Sequence, residues 1–200
     1  MGYYTDFQGE LKITPTPSIK MKQFLDGLFE TRRVKRNSNL GIEGEFEVFD
    51  NKSGYHFNNP SVDGLDDNQR NIIDYNTPPR TQPGLWCSFE FSNDDTFYPY
   101  DGKNYGYIEW VFYIINKVLK PNGYALNGAF RWRGEDFDDI GTVKVEKNIL
   151  YVNDDVYTLE NYIEDVRHYD FKTCEFEDTC KTEDFDNVLL LPDENISIEK

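Results

Sequence analysis

The segment YGYIEWVFYIINKVL, residues 105–119, constrains this chain more than any other. Ile108, Val111, Phe112, Ile115, Val118 and Leu119 recur at helical spacing and form an apolar stripe. Lys117 and Lys120 fall in the last turn, where a helix end favours cations. Pro121 cannot extend the helix, and Gly123 lies just beyond the stop. A stripe this apolar has to be covered, so the flanking sequence must supply the layer that packs on it.

That layer reads as strands. Tyr3, Thr5, Phe7, Gly9, Leu11 and Ile13 alternate with polar residues, which predicts a first strand ended by Pro15 and Pro17. Ser18 can cap the helix predicted over 18–30, whose apolar positions are Ile19, Phe24, Leu25, Leu28 and Phe29. The basic run Arg32, Arg33, Lys35 and Arg36 follows it. A strand is expected over 41–50, with Gly44 as a bulge. Residues 50–84 lack a sustained period and read as a surface excursion with a short helical turn near 68–73. Leu85, Cys87, Phe89 and Phe91 share one face of a strand at 85–91, with Cys87 a buried thiol. Residues 124–132 form another strand. TVKVE and ILYVN, joined at Lys147-Asn148, read as a hairpin. Leu159, Tyr162, Ile163 and Val166 fit one or two helical turns, 170–187 a loop or arm, and 188–192 a last strand. The expected class is α+β: an antiparallel or mixed sheet packed by two main helices, with an acidic C-terminal extension. The division is a core over 1–157 and an acidic segment over 158–200, partly packed on the core.

Charge is segregated along the chain. The net charge is -16, and residues 153–200 hold fifteen acids against four bases, a net of -11. A field of that sign repels nucleic acid and anionic lipid and attracts basic surfaces. Aromatic residues make up 16% of the chain, enough to build a core although mean hydropathy is -0.72. Three cysteines at irregular spacing do not suggest a disulfide framework. No apolar run approaches the length that spans a bilayer, and residues 1–12 are too polar for a signal peptide, so a cytosolic protein is expected.

Candidate chemistry is sparse. GEDFDD, residues 134–139, concentrates Glu135, Asp136, Asp138 and Asp139 in one turn, where carboxylates could hold a hard cation; a solvated turn between strands is the plainer reading. The spacing is not that of a calcium loop, so no metal is expected. His168, Cys174 and Cys180 are soft-ligand types, spaced more widely than zinc pairs. There is no P-loop and no GxGxxG, hence no expected cofactor. Arg131 and Arg133 share the face of a strand opposite Trp132; the plainer reading is a core Trp with arginines on the outside, and the alternative is that the pair meets a phosphate-bearing small ligand.

Three stretches stand out together: GYYTDFQGELKITP, PPRTQPGLWCSFEF and IEWVFYIINKVLKPNGYALNGAFRWRGEDFDDIGTVKVEKN. The combination resembles a family of small uncharacterised proteins of bacteriophages and some bacteria, over roughly residues 1–150. The resemblance implies a phage origin and no established chemistry. A composition rich in Asn, Lys, Asp and Tyr also suits an AT-rich viral genome. With no catalytic constellation, the expected function is a non-enzymatic inhibitor of a bacterial nucleic-acid-binding or defence protein, of anti-CRISPR or anti-defence type, in the host cytoplasm. Glu175, Glu177, Asp178, Glu183, Asp184 and Asp186 would imitate nucleic-acid charge, and Phe171, Phe176 and Phe185 would anchor the contact. The alternatives are a metal-dependent enzyme using the 134–139 acids and a protein that sequesters a nucleotide-like molecule through Arg131 and Arg133.

Overall fold

The computed structural model describes residues 2–30, 78 and 82–166, and the backbone of short strands at 35–36, 72–74, 168–170 and 175–177. Strand β1 (Thr5–Thr14) leads through a cis Thr14–Pro15 bond into helix α1 (Ile19–Glu30). The Ser18 hydroxyl caps α1 by accepting the Met21 N–H at 3.2 Å. Strands β2 (Lys35–Arg36) and β3 (Ile72–Asp74) pair as a separate antiparallel ribbon. Of the helical turn expected near 68–73, Ile72 and Ile73 are strand, in keeping with their β-branched side chains, and residues 68–71 lie outside the described residues. The strand expected over 41–50 lies outside the described residues.

Strand β4 (Phe89–Phe91) is shorter than the 85–91 expected, and it pairs with a strand that alternation did not reveal, β5 (Thr96–Pro99). Cys87 is buried as expected. Helix α2 (Tyr107–Tyr113) passes into a π-helical segment (Ile114–Leu119) and a 3-10 turn (Lys120–Asn122). Strand β6 (Ala125–Gly134) follows, then β7 (Ile140–Glu146), β8 (Ile149–Val152), β9 (Asp155–Val156) and helix α3 (Leu159–Asp165). Strands β10 (His168–Asp170) and β11 (Glu175–Glu177) pair antiparallel, so part of the expected 170–187 loop is a hairpin. Residues 188–192 lie outside the described residues.

The main sheet has seven strands in the order β4-β5-β1-β6-β7-β8-β9, all antiparallel. The class is α+β with an antiparallel sheet. Since β5 and β6 both run opposite to β1 and flank it, α2 is the crossover between two parallel strands that sandwich a third. One sheet face is apolar: Phe97, Leu11, Ile13, Leu126, Phe130, Val143, Val145 and Leu150 are buried. Residues one position away, such as Lys12, Arg131, Arg133 and Lys144, are exposed on the other face.

α2 differs from the amphipathic helix expected. Trp110, Tyr113, Ile114 and Lys117 are buried along with the predicted stripe, because α3 and the sheet pack against the helix within one continuous core. Lys117 is thus a buried residue of the π-helical segment, not a solvated cation at a helix end. Two asparagines add side-chain bonds to backbone carbonyls four residues earlier in this segment. Asn116 Nδ2 donates to Phe112 O at 3.0 Å, and Asn122 Nδ2 to Val118 O at 2.7 Å. Gly123, at φ 79°, closes the segment.

Aromatic rings supply much of the core. Phe29 sits 5.4–5.7 Å from Phe89, Phe91 and Phe97, fastening α1 to β4 and β5. Phe112 stacks on Tyr162 at 5.1 Å and meets Tyr157 at 5.5 Å, fastening α2 to α3. Tyr162 and Val166, beyond the boundary drawn at 157, are buried in this same core. Gly9 (φ 125°) and Gly128 (φ 129°) sit where β1 and β6 press together. A Cβ at Gly9 would strike the Ala129 carbonyl, and one at Gly128 the Glu10 carbonyl. Only glycine combines that φ with that approach. Gly9, expected among the apolar positions of β1, is consequently exposed.

Candidate functional site

Two hairpins build the β7-β8-β9 end of the sheet. Lys147 (φ 48°) with Asn148 (φ 67°) joins β7 to β8, and Asn153 (φ 51°) with Asp154 (φ 72°) joins β8 to β9. Two successive residues at positive φ match the twist of the strands they connect, and Asn and Asp tolerate that conformation best. Asn side chains then fasten both turns. Asn148 Oδ1 accepts Leu126 N–H at 2.6 Å, and Asn153 Oδ1 accepts Thr142 N–H at 2.9 Å.

The 134–139 turn joins β6 to β7, and two of its four acids, Glu135 and Asp139, bond to the rest of the fold. Asp139 Oδ1 accepts the Trp132 indole N–H at 2.9 Å, and Oδ2 accepts the Tyr3 hydroxyl at 2.7 Å. The same Tyr3 oxygen accepts Asp136 N–H at 3.1 Å. Glu135 Oε1 accepts Tyr4 N–H at 3.1 Å. The turn is therefore stitched to the N-terminal end of β1 across more than a hundred residues of sequence. Glu135, Asp136 and Asp138 are exposed, and among the described residues no three His, Cys, Asp or Glu side chains converge as a metal centre. His168 lies in β10; Cys174 and Cys180 lie outside the described residues.

Arg131 and Arg133 project from β6 onto the outer face. Arg131 stands between Gln8 and Thr142 of the neighbouring strands, and Arg133 between Asp6 and Ile140. These six residues, with edges of Phe7, Trp132 and Gly141, line an open depression of about 490 Å³. Trp132 is buried on the opposite side, as the alternation implied.

The β9–α3 end is acidic. Asp154, Asp155, Glu160, Glu164 and Asp165 are all exposed, and no Lys or Arg interrupts residues 153–166. Thr158 starts α3 with a capping box: its Oγ1 accepts Asn161 N–H at 3.4 Å, and Asn161 Oδ1 accepts Thr158 N–H at 2.9 Å. Of the six acids singled out in the C-terminal segment, Glu175 and Glu177 fall in β11, with Phe176 between them. Asp178, Glu183, Asp184, Asp186, Phe171 and Phe185 lie outside the described residues.

One cluster gave no signal in the sequence. The Tyr157 hydroxyl donates to Asp165 Oδ2 at 2.6 Å, and Glu109 of α2 lies near both. Burial raises the Glu109 carboxyl above the usual carboxylate range, and the Asp165 charge adds to this. Burial and the bond to Asp165 likewise raise the Tyr157 phenol, so it stays a neutral donor. Glu109 lies on α2, far in sequence from Tyr157 and Asp165, which is why no local spacing announced the cluster.

No family model, no curated protein and no solved structure matches the chain. No helix among the described residues is long and apolar enough to cross a membrane.

Proposed function

We propose that this chain is a non-enzymatic binding protein that occupies a basic surface on a bacterial nucleic-acid-binding or defence protein. The observation that carries the reading is the exposure of five carboxylates over residues 154–165 without an intervening cation. They lead into the segment holding Glu175, Glu177, Asp178, Glu183, Asp184 and Asp186. Carboxylates displayed in series imitate the phosphate charge that a nucleic-acid groove is built to receive. The same field disfavours direct binding to nucleic acid or to an anionic membrane. The resemblance of residues 1–150 to small phage and bacterial proteins supports a setting in the cytoplasm of a bacterial host. An anti-CRISPR or anti-defence role fits the phage origin that the resemblance implies, and its mechanism rests on the acidic surface alone.

The test is capture from a nuclease-treated bacterial lysate, with wild type compared against a variant carrying Asn or Gln at the six segment acids. Retention of basic nucleic-acid-binding proteins that duplex DNA displaces, and that the variant fails to retain, is the expected result. Identical capture by both chains would overturn the reading.

A further inference from the structure

The outer face of the sheet offers a second surface, opposite in sign to the acidic end. In this chain acids outnumber bases 37 to 21, so a surface cation has carboxylates in easy reach. Lys12 meets Asp95 at 3.2 Å, Lys22 meets Asp26 at 3.3 Å and Lys144 meets Glu146 at 2.6 Å. Five other described cations lack such a pair: Lys103, Lys120 and Lys147, in separate loops and turns, and Arg131 and Arg133, which stand on one face of β6 and line one depression. Among the described residues neither guanidinium has a carboxylate within 4 Å, although Asp6 is the cross-strand neighbour of Arg133.

We propose that Arg131 and Arg133 are the anion-binding pair of a site for a small phosphate monoester of nucleotide size. The two side chains leave one strand on the same face, about 7 Å apart at the backbone, so their planar forks can converge on one phosphate group. Guanidinium geometry suits this task, because each fork matches two phosphate oxygens at once. Gln8 and Thr142, on either side of Arg131, add a carboxamide and a hydroxyl for the remaining polar atoms. Ile140, 60% exposed beside Arg133, offers an apolar surface for the non-phosphate part of the ligand. Asp6 provides an acceptor for hydroxyl or amino hydrogens and disfavours a second dianion. The depression of about 490 Å³ lies within the range of small-molecule sites, and its openness favours weak, exchangeable binding.

The experiment is calorimetric titration of the full chain at low salt with adenosine 5′-monophosphate, adenosine and inorganic phosphate. A flotation assay with phosphatidic acid vesicles runs in parallel, since a lipid headgroup carries the same monoester. The account expects saturable binding of the nucleotide, weaker binding of phosphate, none of adenosine and no flotation. The double variant R131Q/R133Q should keep the wild-type Tm and weaken nucleotide binding by at least about tenfold, the loss expected when charge-assisted contacts are removed. A variant with Asn or Gln at Asp154, Asp155, Glu160 and Glu164 should bind the nucleotide like wild type, which separates this site from the acidic contact proposed above. No saturable nucleotide binding, binding indifferent to R131Q/R133Q, or flotation without nucleotide binding would overturn the proposal.

Discussion

Residues 124–152, which hold β6, β7 and β8, and residues 153–166, which hold β9 and α3, are neighbours in the chain, yet they treat charge differently. The first stretch carries five acids and four bases, the second five acids and no base. In the first, Asp139 holds Trp132 and Tyr3, Glu135 holds the Tyr4 amide, and Glu146 pairs with Lys144. In the second, Asp165 takes the Tyr157 hydroxyl, while Asp154, Asp155, Glu160 and Glu164 stand exposed around it. Carboxylates that fold the protein sit in the 134–139 turn, and carboxylates that face outward sit at the β9–α3 end. A count of acids alone would rank the two stretches equally.

The comparison breaks first if the shared foundation is wrong. Phe112 supports the second stretch through Tyr157 and Tyr162, so Phe112→Ala should cost about 3–5 kcal/mol. For a chain of this length that is a fall in Tm of roughly 6–20 °C. Melting within a degree or two of wild type would show that α2 is not the packing centre.

A smaller effect separates the acids of the turn from one another. Asp139→Ala strands the Trp132 indole N–H and should cost about 1–3 kcal/mol. Asp138→Ala, at an exposed position, should stay within about 0.5 kcal/mol of wild type. Equal effects in denaturant titrations would erase the distinction between structural and outward-facing acids.

A third effect is smaller and depends on pH. A carboxyl whose value is raised by folding favours the folded state while protonated, and that advantage is lost as pH rises through the raised value. Glu109 is such a group, so at pH 7 its charge opposes the packing of α2 on α3. Glu109→Gln should raise Tm at pH 7 by about 2 °C, and the gain should fade toward about pH 4, where Glu109 is itself protonated. A gain that persists unchanged at acid pH would assign the effect to packing.

Much of the fold was legible because short-range periods survive in the structure. The alternation of Leu11 with Ile13 and of Phe130 with Trp132 gave the two central strands, and Lys147-Asn148 gave the hairpin. Strand β5 escaped because TFYP ends in Pro99 and is too short to alternate visibly. The full burial of α2 escaped because its period showed only the most apolar stripe, whereas in the folded core Trp110, Tyr113 and Lys117 are buried as well. The site divides in the same way. Arg131 and Arg133 were readable from strand alternation, but Tyr3 with Asp139 and Tyr157 with Glu109 are tertiary meetings that local spacing does not encode.

The central claim is that exposed carboxylates at the C-terminal side of the molecule make the contact with a basic partner. Its most direct measurement is the salt dependence of association between the full chain and the protein it captures. Wild type is compared with a variant carrying Asn or Gln at Asp154, Asp155, Glu160 and Glu164, and with one carrying Asn or Gln at Glu175, Glu177, Asp178, Glu183, Asp184 and Asp186. All three chains should melt alike, while association slows and the dependence on salt flattens in both variants, more steeply in the second. A salt slope and an association rate equal to wild type in both variants would contradict the account and leave the acidic surface as a solubilising one.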